Sequence, residues 1–382
     1  MDLAKNMQSS GGNFEVLPPL YAAWMSELLP GAIPRESKAT CDDCAMCPRD
    51  EESAVSDFYY FDPATKCCTF VPELYNFLVG AVLSDTDPDS AAGRMTVEKR
   101  LAEGIGVTPL GLGQPAVFLQ LYNNATRAFG RTKALRCPHY LEDGRCGVWR
   151  SRESTCATWF CKHVRGQIGR TFWRESLHRL LGAAERDLSR WCVLQAGLDP
   201  DALRALFEPG GEADDSVPLT GEDLDNRRNR ERYHRIWGEW DGREAEFFIK
   251  CAKLVKPLKW NDVLTICGPA VQALAHLTVD AYSKLVSEEV PSELKSGSFQ
   301  LVQIKGDTAR VDSYSDFDPI DIPTVILALL SEFDGRSAED VTKAIAAKTG
   351  VQLDPALIRK LYDFGVLVPA AKPHHQDSIP KM

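Results

Sequence analysis

The chain has 382 residues, 44% of them hydrophobic, and carries 44 basic against 54 acidic side chains for a net charge of −10. That length suits about two to three domains, the apolar share is enough to build cores, and the acidic balance argues against a non-specific binder of nucleic acid or anionic membrane. The first twelve residues are polar and lack the apolar core of a secretory signal. No apolar run approaches the ~20 residues that span a bilayer, so the expected compartment is the cytoplasm, where disulfides are rare.

In chain order, residues 1–36 read as an N-terminal arm with one short helix over 21–28, between Pro18-Pro19 and Pro30. Residues 37–165 read as a cysteine-rich domain. Helices are expected there over 73–83, with Leu74, Phe77, Leu78, Ala81 and Val82 on one face, and over about 115–129. The glycine-rich stretch 104–113 follows no strand and lacks the Lys-Ser/Thr ending of a phosphate loop. It reads as a loop.

Residues 166–297 read as a helical region. Phe172, Leu177, Leu180, Leu181, Ala184, Leu188, Trp191 and Cys192 recur at three- and four-residue steps and predict an amphipathic helix over 166–196. An acidic loop is expected over 209–226, then helices over roughly 227–255 and 263–286, with the break at Pro257 and Trp260. From Ser298 the pattern changes. A strand over 299–304, a turn at Lys305-Gly306-Asp307-Thr308 and a return strand over 309–314 precede three short helices, over 323–333, 338–348 and 355–364. Gly335, Gly350 and Gly365 sit where left-handed C-caps are expected, and residues 366–368 close as a strand. Residues 298–369 thus read as a hairpin plus a winged-helix-like module, and 370–382 as a disordered tail. The expected fold class is α+β, mainly helical: a metal-stapled cysteine-rich N-terminal domain, a helical middle region and the small C-terminal module.

The cysteines carry the chemistry. Nine of twelve fall between Cys41 and Cys161. Cys41-x2-Cys44-x2-Cys47 is followed by the doublet Cys67-Cys68, and Cys137, Cys146, Cys156 and Cys161 form a second group. Thiolates this dense in a reducing compartment read as metal ligands. Soft sulfur donors select zinc, copper(I) or iron–sulfur clusters. The C-x2-C-x2-C run is that of ferredoxins, whereas zinc sites more often use two C-x2-C knuckles, which favours an iron–sulfur cluster such as 4Fe–4S over zinc. The expected ligands are Cys41, Cys44, Cys47, Cys67, Cys68, Cys137, Cys146, Cys156 and Cys161. Cys137 and Cys146 would face one another across a hairpin turning at Glu142-Asp143-Gly144, and Arg145, Arg150, Arg152 and Lys162 supply cations that favour the thiolate. His139 and His163 stand beside cysteines as substitute ligands or as neighbours of the site. Cys192, Cys251 and Cys267 fall on apolar helix faces and read as inert buried thiols. Trp149, Trp159 and Trp173 read as packing around the metal domain.

These residues resemble the YkgJ-type cysteine-cluster family, described as zinc- or iron-chelating. The pieces that carry the resemblance are Cys41, Cys44 and Cys47, the doublet Cys67-Cys68, Cys137-Pro138-His139-Tyr140-Leu141, Gly144-Arg145-Cys146-Gly147-Val148-Trp149, and Arg152-Glu153-Ser154-Thr155-Cys156 through Phe160-Cys161. The chain departs from the family pattern where the doublet stands well beyond Cys47 and where Glu153 replaces proline, which leaves open which of Cys47, Cys67 and Cys68 are ligands. Flagellin lysine N-methylases carry a related cluster. That resemblance implies a metal-dependent enzyme modifying a protein or peptide as the alternative to a redox or structural module. The last fifty or so residues resemble a PqqD-like winged helix, of the kind that captures peptides, through Ile326-Leu327, Leu330, Asp334-Gly335, Val341, Ile345, Leu357, Leu361 and Gly365-Val366-Leu367. The implied partner is a polypeptide. Nucleic acid is not expected, because the acidic and basic side chains of the module are interspersed and offer no clustered cations.

Overall fold

The computed structural model describes residues 17–39, 41, 43–48, 60–125, 127–201, 204 and 230–370. They form a mixed α and β fold, mainly helical. The expected acidic loop, most of the tail and the first half of the arm lie outside the described residues. The chain divides into two units. One comprises Met1–Glu36, Thr40–Trp159 and Trp173–Tyr282; the other comprises Ser37–Ala39, Phe160–Phe172 and Ser283–Met382.

In the first unit, α1 (Pro19–Leu28) starts with proline at its first position and buries Tyr21, Trp24 and Met25. A small antiparallel sheet of β1 (Leu74–Tyr75), β2 (Val107–Thr108) and β3 (Gly111–Leu112), in the order β1-β3-β2, pairs Leu74 with Leu112. The glycine-rich stretch therefore carries two strands where only a loop is expected. Gly111, at φ 143, allows β3 to lie against Leu74, whose carbonyl a Cβ would meet at 2.0 Å. Helix α2 (Asn76–Ser84) follows β1 directly, one turn later than its apolar pattern suggests. Asn76 explains the shift: its buried amide donates to Pro109 O at 2.9 Å and Ser189 O at 2.8 Å, tying α2 to the sheet and to the long helix.

Helix α3 (Ala91–Glu103) and α4 (Ala116–Asn124) complete the cysteine-rich part, with the five-residue α5 (Ser154–Thr158). The amphipathic run becomes α6 (Gly166–Arg170), a π-helical stretch Thr171–Leu177, and α7 (His178–Gln195), which buries Leu180, Leu181, Ala184, Leu188 and Cys192. The expected helix over 227–255 is two helices, α8 (Arg230–Trp237) and α9 (Glu244–Val255), because Gly238 and Gly242 turn the chain at φ 54 and 77. Likewise α10 (Trp260–Cys267) and α11 (Pro269–Val286) are separated at Gly268, φ 76. The core is aromatic: Trp237 meets Phe247 and Phe248 edge-on, and Trp24 packs near Trp260.

The second unit holds two sheets. In one, β4 (Glu293–Ser296) pairs antiparallel with the later β8 (Asp334–Ser337) and β9 (Leu367–Pro369), giving the order β8-β4-β9. The other is a meander of β5 (Gln300–Lys305), β6 (Thr308–Asp312) and β7 (Ile320–Pro323). Helices α12 (Thr324–Leu329), α13 (Ala338–Thr349) and α14 (Pro355–Asp363) pack on a core that includes Val311, Ile322, Ile345, Leu361 and Leu367. Gly350 caps α13 at φ 74 and Gly365 follows α14 at φ 73, as expected. Gly335 instead lies inside β8. Arg165 pairs with Asp363 (3.0 and 2.5 Å) and caps the end of α11, donating to the carbonyls of Lys284, Leu285 and Ser287 at 3.0, 2.7 and 2.8 Å. Among the described residues no helix is long and apolar enough to cross a membrane.

Candidate metal centre

The first cysteine group sits on two linked turns. Cys47 N donates to Cys44 O at 2.9 Å, and the buried Met46 anchors this loop through its carbonyl to Phe61 N at 2.7 Å. The second turn, from Asp62, delivers the doublet: Lys66 N bonds Asp62 O at 2.8 Å and Cys68 N bonds Thr65 O at 3.1 Å. Lys66 is the one described non-glycine residue with positive φ, 51°, a conformation unfavourable for L side chains. Its Nζ donates to Cys41 O at 2.7 Å, so one strained residue joins the doublet to the start of the first run. The two groups are themselves joined: Cys137 N donates to Cys68 O at 2.7 Å.

The second group sits on a hairpin and a helix. Leu141 N bonds Arg145 O at 2.9 Å around Gly144 (φ 82). The hairpin forms as expected, but Cys146 bridges to Tyr140, with Cys137 three residues before it. Gly147 N bonds His139 O at 2.8 Å. The buried His139 ring meets Thr96 Oγ1 through Nδ1 at 2.7 Å. Burial, then the Arg100 charge, push its pKa down to about 3, so the ring is neutral. Cys156 stands on α5, whose N-cap is Glu153: the carboxylate accepts from Thr155 N at 2.5 Å and Cys156 N at 2.9 Å. Glu153 thus supplies the cap of α5. Beneath it the fully buried Glu185 accepts from Ser154 N and Oγ (2.8 and 2.6 Å) and from the Tyr21 hydroxyl. Burial, and then the Glu153 charge, raise Glu185 to about 8.

These turns gather the thiols. The adjacent Cys68, and then burial, raise the Cys67 thiol well above its ordinary value, and a thiolate at Cys67 would in turn raise Cys41, Cys44, Cys47, Cys137, Cys146 and Cys156. Cys67 is exposed as a residue, while the surroundings of its thiol are crowded. Burial raises Cys41 to about 11 and Cys47 and Cys137 to about 12. Lys66 opposes this at Cys41, Cys44 and Cys47, Arg152 at Cys41 and Cys146, and Arg100 at Cys137. All twelve described cysteines are free thiols. Eight of the nine expected ligands thus belong to the first unit, while Cys161, half-buried, belongs to the second. Among the described residues no three Cys, His, Asp or Glu side chains converge tightly enough to hold an ion as they stand. The donor set is chemically suited to a soft metal: several thiols in one part of the first unit, with cations that offset thiolates.

Of the expected cations, Arg152 is buried beside the thiols with its guanidinium 3.4 Å from the Trp149 ring centre. Arg145 and Arg150 instead form surface pairs with Asp143 (2.7 Å) and Asp87 (3.2 Å). Trp173 is buried packing as expected; Trp149 and Trp159 are partly exposed, with Arg174 stacked 3.7 Å from the Trp159 ring centre. Cys192 and Cys251 are fully buried and Cys267 half-buried. Sequence reasoning missed Lys66, Arg100 and the Glu153–Glu185 pair, whose partners are set by tertiary contact and leave no spacing signal.

A cleft of about 520 Å³ is lined by Phe70, the segment Glu153–Thr155 that leads into Cys156, and Arg179, Gly182 and Arg186 of α7. No family model matches the chain, and no curated protein or solved structure does.

Proposed function

We propose that this chain is a metal-binding protein in which cysteines from both groups hold an iron–sulfur cluster, with zinc as the second choice, and that it serves as a redox or structural module engaging a polypeptide partner. The observation that carries this reading is that two turns and a hairpin, hydrogen-bonded to one another through Cys137 N to Cys68 O and Lys66 Nζ to Cys41 O, bring both cysteine groups into one part of the first unit. Cys41, Cys44, Cys47, Cys67, Cys68, Cys137, Cys146 and Cys156, all in the first unit, would be the donors. The metal would supply a charge that keeps thiols deprotonated despite their burial.

The polypeptide partner is supported by the second unit. Strand β5 is the outer strand of its sheet, and all six of its residues are exposed. A bulge between Leu301 and Gln303 places Leu301 opposite Val311 and Ile304 opposite Ala309. Val311 and Ala309 are fully buried, while Leu301 and Ile304 are 51% and 58% exposed. The apolar face of the sheet therefore continues past its own core onto an unpaired edge, which suits addition of a strand from another polypeptide.

Anaerobic purification tests the metal reading. Iron with acid-labile sulfide and a visible charge-transfer band is the expected result. Stoichiometric zinc without sulfide replaces the cluster and keeps the site; folded, metal-free native protein refutes both. The second reading, a metal-dependent enzyme modifying a protein or peptide such as a lysine N-methylase, is favoured by the cleft lined by Phe70 and Glu153–Thr155. A saturable thermal shift with S-adenosylmethionine supports it, and its absence leaves the module reading in place.

A further inference from the structure

The cleft lined by Phe70 and Glu153–Thr155 has a charge arrangement that its own packing does not use. Arg179 and Arg186 lie on one face of α7, seven residues apart, and both line it. Neither forms a hydrogen bond or ion pair among the described residues, and both side chains are exposed. Between them is Gly182, which is buried; a Cβ there would meet Ser154 Oγ at 3.2 Å and Arg186 Nη1 at 3.9 Å. The glycine brings α7 close to α5 and leaves a side-chain-free hollow between the two guanidiniums.

The opposite side offers hydrogen-bonding groups that are likewise unspent. Tyr75 lines the cleft with its hydroxyl in no described hydrogen bond, and burial raises its pKa, so it remains a donor. Glu73 faces the same space and feels the Arg186 charge without forming an ion pair with it. Glu73 is exposed as a residue, yet partial burial of its carboxyl holds it above its ordinary range, with Arg186 pulling the other way. Glu153 also lines the cleft, with its oxygens taken up by the amides of Thr155 and Cys156. His178 is kept neutral, by burial first. The net offering is two free guanidiniums and a phenol as donors, with one carboxyl as acceptor. Guanidinium pairs match carboxylate and phosphate oxygens in geometry and charge.

We propose that this cleft binds a small oxyanion that also carries a hydrogen-bond donor, its charged oxygens held between Arg179 and Arg186 and its donor directed to Glu73. The ligand class is a hydroxycarboxylate or a protonated phosphate. The site stands whether the neighbouring thiols hold metal or not, so its failure and that of the metal reading are separable.

The test is isothermal titration of the full-length protein, as purified, with inorganic phosphate, with glycolate, and with acetate, which lacks the donor. Saturable binding of phosphate or glycolate, at least about tenfold tighter than acetate, is the expected result; which of the two binds identifies the source of the oxyanion. The double variant R179A/R186A, which removes exposed side chains without partners and so leaves folding alone, should lose the binding. E73Q should erase the advantage over acetate. Arg190, on the same helix beside Asp187 (3.9 Å), is the control: R190A should bind as wild type does. Absence of saturable binding overturns the proposal. So does binding that persists in R179A/R186A, or an equal loss in R190A, which would mean general attraction to a basic helix.

Discussion

Lys38 Nζ lies 3.2 Å from Asp318 Oδ1, joining a residue three positions before Cys41 to a buried carboxylate in the C-terminal third of the chain. The other oxygen of Asp318 accepts the backbone N–H of His163 at 3.0 Å and the Tyr314 hydroxyl. One carboxylate thus holds the chain just ahead of the first expected ligand and just behind the last, Cys161. Asp318→Asn keeps the shape and removes the charge. It should cost about 1–3 kcal/mol, the range for a buried group left with unmet partners. Lys38→Met should cost less than half as much, because Lys38 is 35% exposed and such pairs are weak. Chemical denaturation of the two variants checks the ranking.

The thiols separate into two classes. Replacing Cys44, Cys137, Cys146 or Cys156 by Ser should lower bound metal and destabilise the loaded protein. Replacing Cys192, Cys251 or Cys267 by Ala should leave metal content unchanged, at a cost of about 1 kcal/mol for the lost buried sulfur. Metal analysis of the purified variants decides it. Dependence on Cys192, Cys251 or Cys267 would redraw the site.

Lys66 separates strain from ligand positioning. Glycine adopts the left-handed backbone without the penalty of about 1–2 kcal/mol that an L side chain bears. Lys66→Gly should therefore leave the metal-free protein at least as stable as wild type. It also removes the bond to Cys41 O, so metal affinity should fall severalfold, and Lys66→Arg should restore most of it. Competition with a chelator measures affinity, and melting of the metal-free protein measures stability. If affinity merely follows stability across the three proteins, Lys66 does no positioning.

Glu185 makes stability depend on pH. Its folded pKa, about 8, lies above the unfolded carboxyl value of about 4.3, so between the two the folded state holds more protons. Its stabilising contribution is complete below the unfolded value and is lost as pH rises to about 8. The wild type should lose more than about 1.4 kcal/mol over that window, since a tenfold change in proton affinity is worth that much. Glu185→Gln, which keeps an acceptor for the Tyr21 and Ser154 donors, should flatten the profile. Urea unfolding at pH 5, 6.5 and 8 provides the comparison.

The sequence was legible where one residue's chemistry speaks for itself. The three- and four-residue spacing of α7 marks its buried face, and the cysteine positions mark the candidate site. Helix α3 went unread because it buries only Gly93, Val97 and Arg100, too few for a periodic signal. The breaks at Gly238, Gly242 and Gly268 were unread because each residue's left-handed backbone is a tertiary outcome. Strands β4 and β8 pair across some forty residues of sequence, and their four-residue patterns, Glu-Leu-Lys-Ser and Asp-Gly-Arg-Ser, have little strand character alone. The same holds for Lys66, whose sequence neighbours give no hint of its conformation or of its bond to Cys41.

The packing of α2 on α9 bears on the order of events as the chain acquires its structure. A Cβ on Gly80 would lie 1.8 Å from the Phe248 carbonyl oxygen, so the two helices meet backbone to backbone. The doublet Cys67-Cys68 precedes α2 in the sequence, and Cys137, Cys146 and Cys156 lie between the two helices. Contacts that close so long a loop form late and slow the search. The hairpin at Gly144 and the turn at Asp62, both local, can form well before α2 finds α9. The thiols that those turns carry therefore come together without the cover of the α2–α9 contact, and the speed of that helix pairing bears on how long they stay uncovered.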